Sequence, residues 1–297
     1  MSLNFGQEYS MLDLALSILF SSLIFVIFKL FDTYKVQTLY AIITNYVVAC
    51  AVGLLMYEGT MAVETIPEKP WFWGTFALGS LFIIVFNIMG ATAQQNGISV
   101  ASVATKMSLI IPVMVGVLVY KEELGPLKIV GILLALAAVY FASLKRSSEA
   151  LHKNSLLLPV LVFLGSGLID VSINYFREAH IAPADFAIFS ATVFAAAAVV
   201  GLLIVLIKTV QGSFKINLRN IIGGICLGVP NFFSIFFLLR ALSNENLNSA
   251  TVFTINNVAI VMCSTLLGIV LFKERLIPKN WLGIGLAIIS IILVALF

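Results

Sequence analysis

Charged side chains are scarce in this sequence. Only 17 Lys and Arg and 14 Asp and Glu occur among 297 residues, which is 10% of the chain. Soluble domains carry about 25% charged residues, so the composition argues against a water-exposed globular protein. The net charge of +3 is a small difference between two small numbers, and it gives no support to nucleic-acid binding.

The residues and motifs of familiar enzyme chemistry are also lacking. The sequence contains no HExxH, GxSxG, P-loop or dinucleotide-binding fingerprint, and its two histidines, His152 and His180, lie in predicted connections. Cys50, Cys226 and Cys263 lie in apolar segments without CxxC spacing. We therefore expect them to be small buried hydrophobic residues. We therefore predict no catalytic residue, no metal site and no cofactor, and without a P-loop the chain does not power transport with its own ATP.

Apolar residues are abundant, at 61% of the chain with a mean hydropathy of +1.10. They form runs of about 20 residues, the length of helix that crosses a hydrocarbon core about 30 Å thick. The sequence predicts an all-α integral membrane protein, multi-pass in the inner (cytoplasmic) membrane. Its ten predicted spans are 11–31, 37–57, 70–92, 98–119, 126–144, 156–176, 184–207, 219–240, 250–272 and 279–297.

An internal repeat divides the chain into halves at residues 1–148 and 149–297 of one transmembrane domain. YKEELGPLKIVGILLALAAVYFASL, from Tyr120, matches FKERLIPKNWLGIGLAIISIILVAL, from Phe272, at a constant offset of 152 residues. Because each half has five predicted helices, an odd number, the second half enters the membrane from the opposite side. Inverted repeats of this kind are common in secondary transporters, whose substrate site lies near the membrane midplane between the halves.

These features resemble the EamA-type branch of the drug/metabolite transporter superfamily. The resemblance depends on ten helices in two halves and on an acidic residue after the fourth helix of each half, in KEEL at 121–124 and KERL at 273–276. It implies export or exchange of small metabolites without naming a substrate. The family commonly has Gly-Glu where this chain has Lys-Glu, so only a structural role is carried over to Glu122 and Glu274.

The membrane orientation is left open by two opposing indications. The odd-numbered connections carry 11 Lys and Arg, against 5 in the even-numbered connections and tails. The positive-inside rule then places the odd connections in the cytoplasm and both termini outside. The resemblance implies the reverse, with both termini inside.

A lysine within the fourth predicted span is the most unusual feature of the sequence. Lys106, in VATKMSLIIPV, lies about 12 Å along this helix, where a charge usually faces a cavity or a partner. Asp170 in the sixth span is its expected acidic partner, and Asn174 follows Asp170 by four residues on the same helix face. The pair either fixes helix packing or contacts substrate. Pro112 is expected to bend the helix just beyond the lysine.

Polar residues in the second half complete the predicted site. Asn256 and Asn257 lie about 10 Å into the ninth span, and adjacent amides in lipid need partners. Asn231 follows Pro230 near the middle of the eighth span, where the missing backbone donor leaves a carbonyl without its usual partner. Each amide either joins helices or lines a substrate pathway.

We therefore expect a secondary transporter that moves a small metabolite by alternating access. Its substrate-binding residues would be Lys106, Asp170, Asn174, Asn231, Asn256 and Asn257. Beyond the metabolite and the lipid bilayer, a coupling proton and assembly into a homo-oligomer remain open. The alternative is a non-transporting structural or accessory membrane subunit whose polar residues only hold the helices together.

Overall fold

The protein is described by a computed structural model. It covers residues 3–57, 63–112, 114–115, 125–142, 144, 156–180, 186–212, 217–242 and 249–296. The regular elements of these ranges are all helical. A 3-10 helix, Val63–Glu68, precedes the third α-helix. In chain order the α-helices are α1 Leu3–Thr33, α2 Thr38–Leu55, α3 Phe72–Gln95, α4 Ile98–Met107, α5 Pro126–Ala142, α6 Leu157–His180, α7 Phe186–Val210, α8 Leu218–Leu242, α9 Ser249–Phe272 and α10 Pro278–Leu296.

Six of these helices are long and apolar enough to cross a membrane, which identifies a multi-pass membrane protein. The spanning segments lie in α1, α2, α3, α7, α8 and α9. The apolar segments of the other four helices are 10–17 residues long. Leu202, Leu206 and Val210 on α7 are more than half exposed, as expected for a helix face in contact with lipid.

The buried side chains form two main clusters. The larger joins α1, α2, α3, α7 and α8 around aromatic residues such as Phe28, Tyr46 and Phe194. The smaller joins α4, α5 and α10, and includes Val261 from α9. The helix α4 contributes to both clusters and therefore lies between them.

The predicted fourth span begins where expected but is interrupted after Lys106. The helix α4 ends at Met107, Ser108 and Leu109 form a turn, and helical structure resumes at Ile110. Pro112 has no N–H to donate to the Ser108 carbonyl, which instead accepts the Ile111 N–H at 2.9 Å. The Ser108 hydroxyl also lies 2.6 Å from the Thr105 carbonyl oxygen, in competition with the backbone ladder. The missing N–H of Pro112 thus explains why the helix is interrupted at Ser108 and Leu109, which precede the proline in the chain.

Two glycines on α8 allow it to approach α2 closely. A Cβ at Gly224 would lie 2.6 Å from the Ala41 carbonyl oxygen, and one at Gly228 would lie 2.8 Å from that of Asn45. Their GxxxG spacing therefore serves helix packing within the chain. This contact fixes the faces of α2 and α8 that carry Asn45 and Asn231.

Candidate functional site

The interruption of α4 brings the predicted charged pair together. Lys106 in the last turn of α4 and Asp170 in α6 are both half-buried, and each is the charged neighbour that acts electrostatically on the other. In the described part of the chain, no direct hydrogen bond or ion pair joins them. The predicted proximity is confirmed, and the direct partner of Asp170 is a residue that the sequence analysis missed.

That residue is Ser108. Its hydroxyl oxygen lies 3.1 Å from Asp170 Oδ2, so one proton is shared between this carboxylate and the Thr105 carbonyl. Ser108 is only 1% exposed. At membrane depth, non-helical backbone is tolerated where protein buries it or where it lines a cavity, so the buried turn satisfies this requirement.

The space beside Lys106 is small. A void of about 10 Å³ is lined by the lysine and by residues of α4 and α10, among them Ser290 and Ile291. A cavity needs about 10–15 Å³ of space for the centre of a water molecule to hold one water, so this void is at the lower limit. In this conformation a metabolite does not fit beside the lysine.

The amides of α8 and α9 belong to a second polar group. Asn231 Nδ2 donates to Asn45 Oδ1 of α2 at 3.1 Å. The hydroxyl of Ser17 in α1 lies 2.9 Å from the Ser234 carbonyl oxygen and 3.2 Å from Asn256 Oδ1. Four helices thus meet through neutral hydrogen bonds in the buried interior.

Asn256 and Asn257 face different parts of the molecule. Residues four apart lie on one helix face, and Ile260 packs in the larger core cluster whereas Val261 packs in the smaller. Asn256 therefore faces α1 and α8, and Asn257 faces the α4 side. Asn257 is 7% exposed and makes no side-chain hydrogen bond to the described residues.

Asn174 cannot be placed in either group. It lies in α6, four residues after Asp170, but its side chain is outside the described part of the chain. The prediction for this residue therefore remains a prediction. Glu122 also lies outside the described residues.

Glu274, whose structural role the resemblance implied, caps α4. Its Oε1 accepts the Ile98 N–H at 2.7 Å, and its Oε2 lies 3.3 Å from the Ser99 hydroxyl. A carboxylate at a helix N-terminus satisfies free backbone donors and interacts favourably with the helix dipole. Gly97, with φ +106°, turns the chain directly before the helix. The segment after α9 thus holds the start of α4.

Ser17 and Ser108 gave no usable signal in the sequence. A serine within an apolar helix commonly bonds back to a carbonyl of the preceding turn, which reveals nothing about a tertiary partner. Asn45 gave a weak signal as an amide within an apolar run. Pro112, in contrast, predicted a bend just beyond Lys106, and the turn at Ser108 and Leu109 lies there.

A larger cavity of about 590 Å³ lies elsewhere, between α1 and α8. None of the five predicted site residues with described side chains lines it. Its walls are mainly apolar, and Lys35 and Arg219 are its cationic residues.

Comparisons with known proteins bear on the fold and leave the activity open. No family model matches the sequence. An uncharacterized protein of Haemophilus influenzae is 29% identical over 281 residues, which cover 92% of this chain and 93% of that protein. A solved structure described only as a crystal structure of a protein has a TM-score of 0.61 at 15% identity, over 97% of this chain and 96% of its own. At that identity the likeness concerns the fold alone.

Proposed function

We propose that this protein is a secondary transporter of the EamA type that moves a small metabolite across the inner membrane by alternating access. Lys106 would contact an anionic or carbonyl group of the substrate, and Asp170 would be its counter-ion or a coupling acid. The single observation that carries the proposal is the interruption of α4 beside this charged pair. Export or exchange of the metabolite is the expected activity.

The depth of the interruption supports the proposal. The ten residues of α4 rise about 15 Å, which is half of a hydrocarbon core about 30 Å thick. Interrupted helices near the midplane are where secondary transporters bind substrates and coupling ions. A charged pair at this depth is costly and usually serves a function.

Contacts between equivalent helices support the proposed ten spans in two inverted halves. Under the offset of 152 residues, Gly283 corresponds to Gly131, and Ala138 corresponds to Ser290. A Cβ at Gly283 would lie 2.9 Å from the Ala138 carbonyl oxygen, and the Ser290 hydroxyl donates to the Gly131 carbonyl at 2.7 Å. In the same two-fold relation α1 corresponds to α6 and α8 corresponds to α3. Both pairs are in contact, since α1 packs on α8 and α6 packs on α3.

A structural or accessory subunit is the second candidate, and the packing around Lys106 favours it. The small void beside the lysine and the bonded amides of Asn231 and Asn256 are what such a subunit requires. A transporter with the same packing would be in an occluded state, and substrate would enter only after the halves move. A transporter would therefore move substrate across the membrane and change conformation, whereas a structural subunit would do neither.

The test measures flux from proteoliposomes loaded with a uniformly ¹³C-labelled extract of small metabolites. Mass spectrometry of the external medium compares wild type, Lys106→Met and protein-free vesicles. Wild type should release at least one metabolite faster than protein-free vesicles do. Charged hydrogen bonds contribute about 1.5–3 kcal/mol, so Lys106→Met should slow this release by at least about tenfold.

Val258→Met is the matched control, because Val258 is the residue equivalent to Lys106 in the second half. It places the same side chain in an apolar environment and should retain wild-type flux. Equal flux from Lys106→Met and Val258→Met would contradict the role of the lysine. No release above that of protein-free vesicles from wild type would favour the structural subunit.

A further inference from the structure

The cavity between α1 and α8 has the form of a lipid site. Ile27, Leu30, Phe31 and Tyr34 line it from one face of α1, at the spacing of successive helical turns. Arg219, Ile222, Gly223 and Cys226 line it from one face of α8 with the same spacing. The wall on α8 is about 10 Å long from Arg219 to Cys226.

The two ends of this wall differ in chemistry. Lys35 and Arg219 are both exposed at one end, and neither side chain forms an ion pair or hydrogen bond with the described residues. Towards the other end, Ile27, Ile222 and Cys226 present an apolar surface, and Ile222 is 51% exposed on the outside of the bundle. A cationic end and an apolar wall that opens outward match a phosphate headgroup with an acyl chain.

Lys35 has a backbone conformation that is unfavourable for a residue with a side chain. The Val36 N–H donates to the Phe31 carbonyl at 2.8 Å and the Lys35 N–H to the Asp32 carbonyl at 3.2 Å, which together form a Schellman motif at the end of α1. The motif requires a left-handed residue, and Lys35 has φ +52°. Glycine is the usual residue there because a side chain is disfavoured. Lys35 thus presents a cationic side chain at a position where glycine is usual.

The nearby lysine on α1 is not available for the same purpose. Lys29 Nζ donates to the Gln94 carbonyl at 2.7 Å and is thereby bound to α3. Asp32, the acid closest in sequence to Lys35, is exposed and does not line the cavity. Among the described residues that line the cavity there are thus two cations and no acid.

We infer that this cavity binds an anionic phospholipid, with its phosphate on Lys35 and Arg219 and an acyl chain along the apolar wall. Basic pockets between transmembrane helices bind such headgroups on the cytoplasmic side. The positive-inside count, in contrast to the family resemblance, places the two connections carrying Lys35 and Arg219 in the cytoplasm. The inference does not depend on the proposed transport activity.

The experiment measures lipid binding to the purified full chain by native mass spectrometry. Phosphatidylglycerol and phosphatidylcholine with identical acyl chains are added separately. Wild type should retain phosphatidylglycerol preferentially. Each cation near a membrane surface contributes about 1 kcal/mol, so Lys35→Gly and Arg219→Gln should each lower phosphatidylglycerol binding by about fivefold.

Lys35→Gly is informative because it removes the charge and relieves the left-handed strain. Its thermal stability without lipid should equal or exceed that of wild type, so a loss of lipid binding would not reflect misfolding. Lys273→Gly is the matched control, because Lys273 is exposed, has φ +53° and lies outside the cavity. It should retain wild-type binding.

Two results would overturn the inference. One is phosphatidylglycerol binding by Lys35→Gly equal to that by Lys273→Gly. The other is equal retention of phosphatidylcholine and phosphatidylglycerol by wild type, which would make the cavity a nonspecific contact with lipid chains.

Discussion

Under the sequence offset of 152 residues α4 corresponds to α9, yet α4 is interrupted and α9 is continuous. The helix α4 ends at Met107 after 10 residues, whereas α9 continues for 24 residues from Ser249 to Phe272. Lys106, Ser108 and Pro112 of the first half correspond to Val258, Ile260 and Ser264 of the second. At these three positions the first half has a cation, a hydroxyl and a proline, where the second half has two apolar residues and a serine.

The residues that pack the two halves together follow the sequence similarity between the halves, whereas the charged residues of the candidate site do not. The contacts between α5 and α10 follow the two-fold relation, and they involve small or apolar residues. The charged pair departs from this relation. SSLIFVIFKLFD, from Ser21, resembles SGLIDVSINYFR, from Ser166, and this alignment places Phe25 opposite Asp170. The charged pair is therefore not part of the sequence similarity between the two halves.

Removing the acid should have the largest effect on stability. Asp170→Ala leaves Lys106 as an uncompensated charge and Ser108 without its carboxylate acceptor, which should cost about 3 kcal/mol. Unfolding of the purified protein in detergent measures this change. The double variant Lys106→Met with Asp170→Ala should recover at least about 1 kcal/mol through the coupling of the two sites.

Phe25→Ala provides the comparison at the equivalent apolar position. It should also destabilise the protein, by leaving a cavity in the larger core cluster. Lys106→Met should not rescue it. Equal coupling of Lys106 to both positions would show that the coupling is not electrostatic.

The neutral polar group should be less sensitive than the charged pair. Asn231→Leu leaves Asn45 Oδ1 without its donor and should cost about 2 kcal/mol in the same unfolding measurement. Replacing both amides by leucine should cost less than the single change, because no buried polar group is then left unsatisfied. A double variant less stable than Asn231→Leu would show that the amides have a further essential contact.

The contact that links the two compared helices should have the smallest effect. Glu274→Gln keeps an acceptor for the Ile98 N–H but removes the charge at the N-terminus of α4, at a cost of about 1 kcal/mol. Arg275→Gln, at the exposed neighbouring residue, should leave thermal stability unchanged. Equal effects of the two changes would mean that the cap does not stabilise α4.

Hydrophobic runs predicted most of the helices well because most of them are long and largely apolar. The bounds of α2, α5 and α9 differ from the predicted spans by at most two residues at either end. The proximity of Lys106 and Asp170 was also predictable, because two opposite charges in an apolar interior favour each other. Six of the described helices are long and apolar enough to cross a membrane, so the ten predicted spans remain a proposal.

The remaining features depend on tertiary geometry that no local pattern encodes. Ser17 reaches Asn256 across 239 positions of the chain, and Ser108 reaches Asp170 across 62. The cavity of about 590 Å³ lies between α1 and α8, and its lining residues look like ordinary lipid-facing and interfacial positions in the sequence. Sequence reasoning therefore found the charges but missed the hydroxyls and the cavity.

The most direct test of the account asks whether water reaches the interruption of α4. Ser108 is 1% exposed and its counterpart Ile260 is 0% exposed, so burial in this conformation does not distinguish them. In a background where Cys50, Cys226 and Cys263 are serine, Ser108→Cys and Ile260→Cys are treated in membranes with an impermeant methanethiosulfonate reagent. Alternating access predicts that Ser108→Cys is modified and Ile260→Cys is not. Protection of both cysteines, or equal modification of both, would contradict the account.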